Sequence, residues 1–347
     1  MMKILIAGLG GIGQRHLRNL IAVLGDSGQI RAVDPREHIP VLTDRLQVEE
    51  NATHEEKYGL KIYPDLDSGL AWRPDAVFIC NPTSLHIPSA LQAVKAGCHV
   101  FVEKPLSHNL DNVDILMEQA GKQDLLVFVG YQMRFHPCLQ RLHELVVERK
   151  VGNILSVRAE IGEYLPGWHT YEDYRQMYAS RRDLGGGVIL SQIHEMDYLY
   201  WFFGLPDSIY ALGGQLSRLE VDVEDTAEIL MNFSEGSRSF PVSLHVDYVQ
   251  RPPSRGCHVL GDSGKIILDL VNPTVTVYGE TGTEIEKTSS PDFQRNQMFI
   301  DEVSCFLDAV AGRPTQLVGL REGINSLRMA LAARESLATG LVVKVLR

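Results

Sequence analysis

Lys3-Ile4-Leu5-Ile6-Ala7 runs directly into Gly8-Leu9-Gly10-Gly11-Ile12-Gly13, an apolar strand-like segment followed at once by G-x-G-x-x-G. A second apolar run, Ile30-Arg31-Ala32-Val33, ends at Asp34, 21 residues beyond Gly13. Strand, glycine turn, amphipathic segment (Ile12, Leu17, Leu20, Ile21, Leu24) and acid together fit a dinucleotide site. Gly8 permits the tight turn, Gly10 lets a pyrophosphate approach the backbone, and Gly13 lets the helix pack close to the strand. The helix N-terminus, with Gly11 and Ile12, offers free N–H groups and the positive end of a dipole. Asp34 is placed to accept hydrogen bonds from an adenosine ribose, which favours NAD over NADP. Arg36, two residues on, softens that discrimination and keeps NADP open.

The strand candidates that follow are Ala76–Cys80, His99–Val102 and Leu125–Val129, with helices expected at Ile12–Leu24, Ile39–Tyr58, His86–Ala96 and Leu110–Gln123. The strands are unbroken apolar runs, as in a parallel sheet covered on both faces. The first third therefore predicts a doubly wound α/β domain over residues 1–129. From about Gly130 the pattern changes. A helix is expected at Pro137–Arg149, a long strand at Ile154–Tyr164, and an apolar helix at Val188–Phe203. Alternating strands follow at Ser208–Leu212, Thr226–Phe233, Ser239–Val249, Arg255–Leu260, Lys265–Leu268 and Thr274–Tyr278. Two helices, Gln294–Ala311 and Arg321–Thr339, complete a second, α+β domain over 130–347 with an open, mainly antiparallel sheet.

Composition narrows the function classes. The chain has 347 residues, 44% of them hydrophobic, and a net charge of −11. That balance argues against nonspecific nucleic-acid binding, and no run approaches the roughly 20 apolar residues of a membrane helix. Gln14-Arg15-His16 ends the first apolar run too early for a secretory signal. Five scattered cysteines (Cys80, Cys98, Cys138, Cys257, Cys305) form no C-x-x-C and read as reduced thiols of a cytoplasmic protein. His194-Glu195 lacks the second histidine of H-E-x-x-H, and no metal is expected.

With these residues in hand, the chain resembles the Gfo/Idh/MocA family of NAD(P)-dependent oxidoreductases. The motifs occur in order: Gly8 to Gly13 with Gln14-Arg15-His16; Arg73-Pro74-Asp75-Ala76-Val77; Asn81-Pro82-Thr83 with His86; Glu103-Lys104-Pro105; Gly185-Gly186-Gly187; and His194-Glu195-Met196-Asp197. The segment from Trp168 through Glu172-Asp173-Tyr174-Arg175 and Tyr178 looks like a branch associated with sugar and cell-surface glycan metabolism. The resemblance implies that Asn81, Pro82, Thr83, His86, Glu103 and Lys104 line the nicotinamide side of the cofactor. It implies a catalytic Lys104, often before a cis proline, and a catalytic His194. It also implies a homodimer or homotetramer through the second sheet, which the alternation of Ser239–Val249 suits.

Each assignment has a plain structural counterpart. Asn81-Pro82-Thr83 also reads as a strand-to-helix turn with Thr83 or Ser84 as N-cap. Glu103-Lys104 also reads as a solvent-facing pair, and His194 as a core histidine capped by Asp197, three residues on. Many relatives carry an aspartate shortly before the histidine, where this chain has Ser191; a hydroxyl donates a hydrogen bond but carries no charge. Ser191 and Asp197 are thus candidates for substrate contact. The loop from Trp168 to Arg182 is dense in groups suited to a polyol, among them Trp168, His169, Tyr171, Tyr174, Arg175 and Tyr178; Arg134 and Tyr164 are of the same type. The expected activity is hydride transfer between nicotinamide and a secondary alcohol or ketone of a cyclic polyol, sugar or sugar nucleotide. The alternatives are a transient-redox glycosidase or lyase, and a non-catalytic NAD-binding sensor or assembly subunit.

Overall fold

The computed structural model describes residues 1–316 and 318–346. Its N-terminal sheet contains β1 (Met2–Ala7), β2 (Gly28–Val33), β3 (Lys61–Tyr63), β4 (Ala76–Ile79), β5 (His99–Glu103) and β6 (Val127–Gly130). All pairs are parallel, in the order β3-β2-β1-β4-β5-β6. Buried apolar runs such as Ile4-Leu5-Ile6 and Ala76-Val77-Phe78-Ile79 carry this sheet, because helices cover it. These helices are α1 (Gly11–Leu24), α2 (His54–Tyr58), α3 (Leu66–Leu70), α4 (His86–Lys95) and α5 (Val113–Lys122). The strand order reverses between β1 and β4, so the crevice beyond their carboxyl ends is where a doubly wound sheet binds ligands.

The second sheet follows α6 (Pro137–Val147). It contains β7 (Ile154–Gly162), β8 (Ser208–Gly214), β9 (Thr226–Glu235), β10 (Arg238–Asp247), β11 (Ser254–Gly261), β12 (Gly264–Asp269), β13 (Thr274–Gly279), β14 (Glu284–Ser289) and β15 (Val343–Lys344). Their order is β14-β13-β12-β11-β7-β10-β9-β8-β15, antiparallel except for the parallel pair β7 and β10. Helices α7 (Val188–Ser191) and α8 (His194–Phe203) lie between β7 and β8, while α9 (Arg295–Val310) and α10 (Leu320–Thr339) follow β14. Helix α9 packs back onto the first sheet. There Phe306 meets Phe78 and Phe101 edge-on at 5.4 and 5.6 Å, on a stack whose ring spacings are 4.6 Å (Phe78 to Phe101) and 5.1 Å (Phe101 to Phe128). No helix among the described residues is long and apolar enough to cross a membrane.

Several expectations are corrected. Within the predicted helix Ile39–Tyr58 only His54–Tyr58 is helical. Leu46 and Asn51 adopt left-handed backbone angles, and the Gln14 side chain pins the segment by donating to the Pro40 carbonyl and accepting from the Leu42 N–H. Thr53 then caps the short helix by accepting the Glu56 N–H. The predicted helix Val188–Phe203 is two helices, broken at Gln192-Ile193. Strands β3, β14 and β15 and helix α3 were not anticipated. The apolar half of β10 (Phe240, Val242, Leu244, Val246) is buried and packs into the core, so its alternation does not furnish an apolar interface; Pro241, Ser243 and His245 stand on the other face.

Candidate active site

The glycine turn connects β1 to α1 across the point where the strand order reverses. Gly8 has φ +102°, and a Cβ there would lie 2.8 Å from the Asn81 nitrogen in the loop after β4. A Cβ on Gly13 would lie 1.9 Å from the Gly8 carbonyl oxygen, whereas one on Gly10 would meet nothing within 4 Å. Gly8 and Gly13 are therefore required by packing, whereas the space beside Gly10 is open. The N-cap of α1 is Gly10, without a side-chain cap, and no acid stands in the helix's first turn. These free N–H groups, beside an open approach, fit a dinucleotide pyrophosphate.

Asp34, at the end of β2, is buried. Its Oδ2 accepts the Leu9 N–H at 2.8 Å, and Arg36 forks onto it, Nε to Oδ1 at 2.8 Å and Nη2 to Oδ2 at 2.7 Å. Burial pushes its pKa up, but the hydrogen bonds and charge of Arg36, with the Leu9 N–H, outweigh this and hold it below the usual carboxylate range. Asp34 is thus ionised, and its carboxylate is held in place by the Leu9 N–H and the Arg36 fork.

The loops after β4 and β5 are joined by His86, whose Nδ1 and Nε2 lie 2.8 and 2.9 Å from the carbonyl oxygens of Pro105 and Asn81. His86 is only 2% exposed, so it props the two loops beneath the crevice. The Asn81 amide donates to Ser89 Oγ at 2.9 Å, and Thr83 is buried at the first turn beyond Pro82. Glu103 also points inward. Its Oε1 lies 2.6 Å from His16 Nε2 on α1, and its Oε2 accepts the Lys104 N–H at 3.1 Å. It ties the glycine-turn helix to the residue before the lysine. The Lys104–Pro105 peptide is cis.

Lys104 Nζ donates to the Ser191 carbonyl at 2.8 Å. That carbonyl ends α7, and the break before α8 leaves it free of a helical partner. The amine thereby reaches from the first sheet to the start of the His194 helix. His194 is buried, and its Nε2 lies 3.0 Å from the Gln132 side-chain nitrogen. Burial, and then the positive charges of Lys104, Arg255 and Arg295, hold its pKa well below that of a free imidazole. It is neutral, as a proton acceptor near pH 7 must be. The Ser191 hydroxyl is buried beside the Tyr248 phenol.

Other candidates are brought together, but with each other. Arg134 forks onto Asp197 at 2.8 and 2.7 Å, and Ser326 Oγ donates to the same carboxylate at 2.9 Å. With Asp197 1% exposed and its oxygens engaged, the pair joins the segment after β6 to α8 and α10 instead of facing a substrate. In the loop between β7 and α7, Arg175 is engaged by Asp173 and Glu220, and His169 by Glu172. Trp168 stands edge-on to Tyr248 at 5.4 Å, and Arg251 lies 3.9 Å over the Tyr164 ring. Tyr171, expected among the sugar-facing groups, instead stands at the glycine turn, its hydroxyl 3.0 Å from a Cβ built on Gly11. Gln132 and Arg255, which set the surroundings of His194, were missed. No local spacing marks them, because both reach the histidine only through the tertiary fold.

Comparison with known proteins agrees with this fold. The model of an oxidoreductase family with an NAD-binding Rossmann fold matches residues 2–131, and that of the GFO/IDH/MocA C-terminal domain matches residues 139–283. A myo-inositol 2-dehydrogenase of Thermotoga maritima is 28% identical over 357 residues, covering 99% of this chain and 98% of its own. A UDP-N-acetylglucosamine 3-dehydrogenase of Acidithiobacillus ferrooxidans is 26% identical over 82% of each chain. The fold is shared with the WlbA dehydrogenase of Bordetella pertussis, solved with NADH and UDP-GlcNAcA. The TM-score is 0.79 at 21% identity, over 100% of this chain and 99% of that one.

Proposed function

The chain belongs to the Gfo/Idh/MocA family of NAD-binding oxidoreductases, and from that premise we propose that it interconverts a secondary alcohol and a ketone on a cyclic polyol, sugar or sugar nucleotide. It is a dehydrogenase acting on alcohol groups, and its relatives include inositol and UDP-sugar enzymes. In this reading residues 1–129 hold the dinucleotide and residues 130–347 supply the substrate wall. Gly8 to Gly13 cradle the pyrophosphate, Asp34 takes the adenosine ribose, and Asn81-Pro82-Thr83 borders the nicotinamide end. Bound NAD supplies the hydride acceptor for alcohol oxidation.

The observation that carries the reading is the meeting of Lys104 Nζ with the carbonyl end of α7, three residues before His194. Lys104, held at the carboxyl end of β5, supplies an N–H donor and positive charge to the oxygen of the reacting carbon as that oxygen gains negative charge. His194, kept neutral, takes the hydroxyl proton. In the opposite direction the protonated imidazole returns it. Where many relatives place a carboxylate, this chain offers Lys104 the backbone carbonyl of Ser191. The lysine is oriented without being neutralised by a fixed acid.

The test is the appearance of reduced nicotinamide when purified protein and NAD meet a panel of cyclitols, sugars, uronic acids and sugar nucleotides. We expect turnover with one such class, and a loss of about 10²-fold or more in kcat for Lys104→Met and for His194→Asn, with NADH binding retained in both. Undiminished turnover in Lys104→Met would refute the assignment.

A further inference from the structure

Two buried side chains that the proposed mechanism leaves without a task, His16 and Glu103, meet between α1 and β5. His16 stands on the second turn of the helix that begins at the glycine turn, and Glu103 ends β5 directly before Lys104. Nε2 of His16 lies 2.6 Å from Oε1 of Glu103, and the other carboxylate oxygen accepts the N–H of Lys104 itself at 3.1 Å. His16 Nδ1 is buried without a partner. A proton there would be an orphaned donor, whereas one on Nε2 is donated to the carboxylate, so Nε2 carries it. The imidazole is closed to solvent and boxed by the rings of Phe101, Phe78 and Phe299, with centroids 5.0, 5.5 and 6.3 Å away. Both Glu103 oxygens are thus engaged inside the protein, one on α1 and one on the backbone of the lysine. Beyond the lysine, the Pro105 carbonyl is held by His86 at 2.8 Å.

We infer that His16 and Glu103 are positioning residues for Lys104: they lock its backbone to the helix that takes the pyrophosphate, so that cofactor and amine keep one fixed separation. This rests on the assignment of Lys104 to the reacting oxygen and of the glycine turn to the dinucleotide. Hydride transfer needs the reacting carbon against the nicotinamide while its oxygen meets Nζ. The two demands fall on different loops, and an error of about 1 Å between them costs on the order of 10²-fold in rate. A lysine side chain is a flexible four-carbon stem. Its tip is held by the Ser191 carbonyl, and the His16–Glu103 pair fixes its root. Glu103 therefore acts through Lys104 and not on the cofactor, and breaking the pair lowers kcat while NADH affinity stays.

The experiment is a double-mutant cycle on the full-length protein. It reads kcat on the panel compound that reduces NAD, and NADH affinity by fluorescence titration. His16→Met and Glu103→Leu remove the link; His16→Gln keeps an N–H donor in reach of the carboxylate. Each of the first two should lower kcat by about tenfold or more, with NADH affinity within about twofold of wild type, and His16→Gln should recover most of the loss. In Lys104→Met, whose residual turnover is read at high enzyme concentration, adding His16→Met should cost no more than about a further twofold, because the amine it positions is gone. Unchanged kcat in both His16→Met and Glu103→Leu would overturn the inference. So would an equal fold loss with and without Lys104, which marks a general structural role, or a loss of NADH affinity matching the loss of kcat. Undiminished turnover in Lys104→Met, or a panel without turnover, would refute the parent reading and this inference with it, a separately visible failure.

Discussion

At the scale of the residue, His194 shows how burial selects a protonation state. An imidazole taken out of water beside Lys104, Arg255 and Arg295 gives up its proton more readily than the same ring in solution. The sign is fixed: the folded protein holds His194 neutral at the pH where a free histidine, near 6.5, is half charged. In the proposed mechanism, where His194 takes the substrate proton, activity in that direction is therefore expected to persist below pH 6.5 and to fall only where the lowered pKa is crossed. The acid limb of kcat/KM against pH is the measurement. A break at the ordinary histidine value would show that some other group limits the rate. The positions of Asp34 and Lys104 just beyond strand ends were legible in the sequence because short apolar runs stop directly before Asp34 and one residue before Lys104. Asp197 and Arg134 were misread for a reason of the same scale. Each has the right chemistry for a substrate, but the two satisfy one another.

At the scale of the element, the break between α7 and α8 does what a continuous helix could not, exposing the Ser191 carbonyl to Lys104. Neither Gly nor Pro marks Gln192-Ile193, so an unbroken apolar helix was the natural reading. The predicted helix at Ile39–Tyr58 failed for the complementary reason: the side chain that pins the segment, Gln14, lies on another helix. The parallel strands and α1 were legible because their signals are periodic and local. Helix α8 is anchored by the buried Arg134–Asp197 pair, with Arg134 11% exposed in its side chain. Arg134→Met leaves an uncompensated carboxylate and should destabilise the fold by about 3 to 5 kcal/mol, read by denaturant unfolding. Adding Asp197→Leu should recover most of that loss. A single variant of wild-type stability but weakened substrate binding would return Arg134 to the substrate site.

At the scale of the whole molecule, the two sheets are not independent bodies joined by a linker. Helix α9 comes from the C-terminal part of the chain, yet its Phe306 covers the Phe78-Phe101-Phe128 stack on the first sheet. Its Glu302 is buried without a hydrogen-bond partner; burial and the charge of Glu103 push its pKa well above the ordinary value, so it keeps its proton. A fragment cut at residue 129 exposes that aromatic face, and we expect it to lack a cooperative thermal transition. A fragment that folds cooperatively and binds NADH would show the covering helix to be dispensable. The same feature orders events during synthesis. The first sheet emerges from the ribosome early, but its covering helix follows only after the strands from β7 to β14 have been made. Until then the nascent chain carries an uncovered aromatic surface of the kind that chaperones retain. The half that binds the cofactor is thus translated first and completed late.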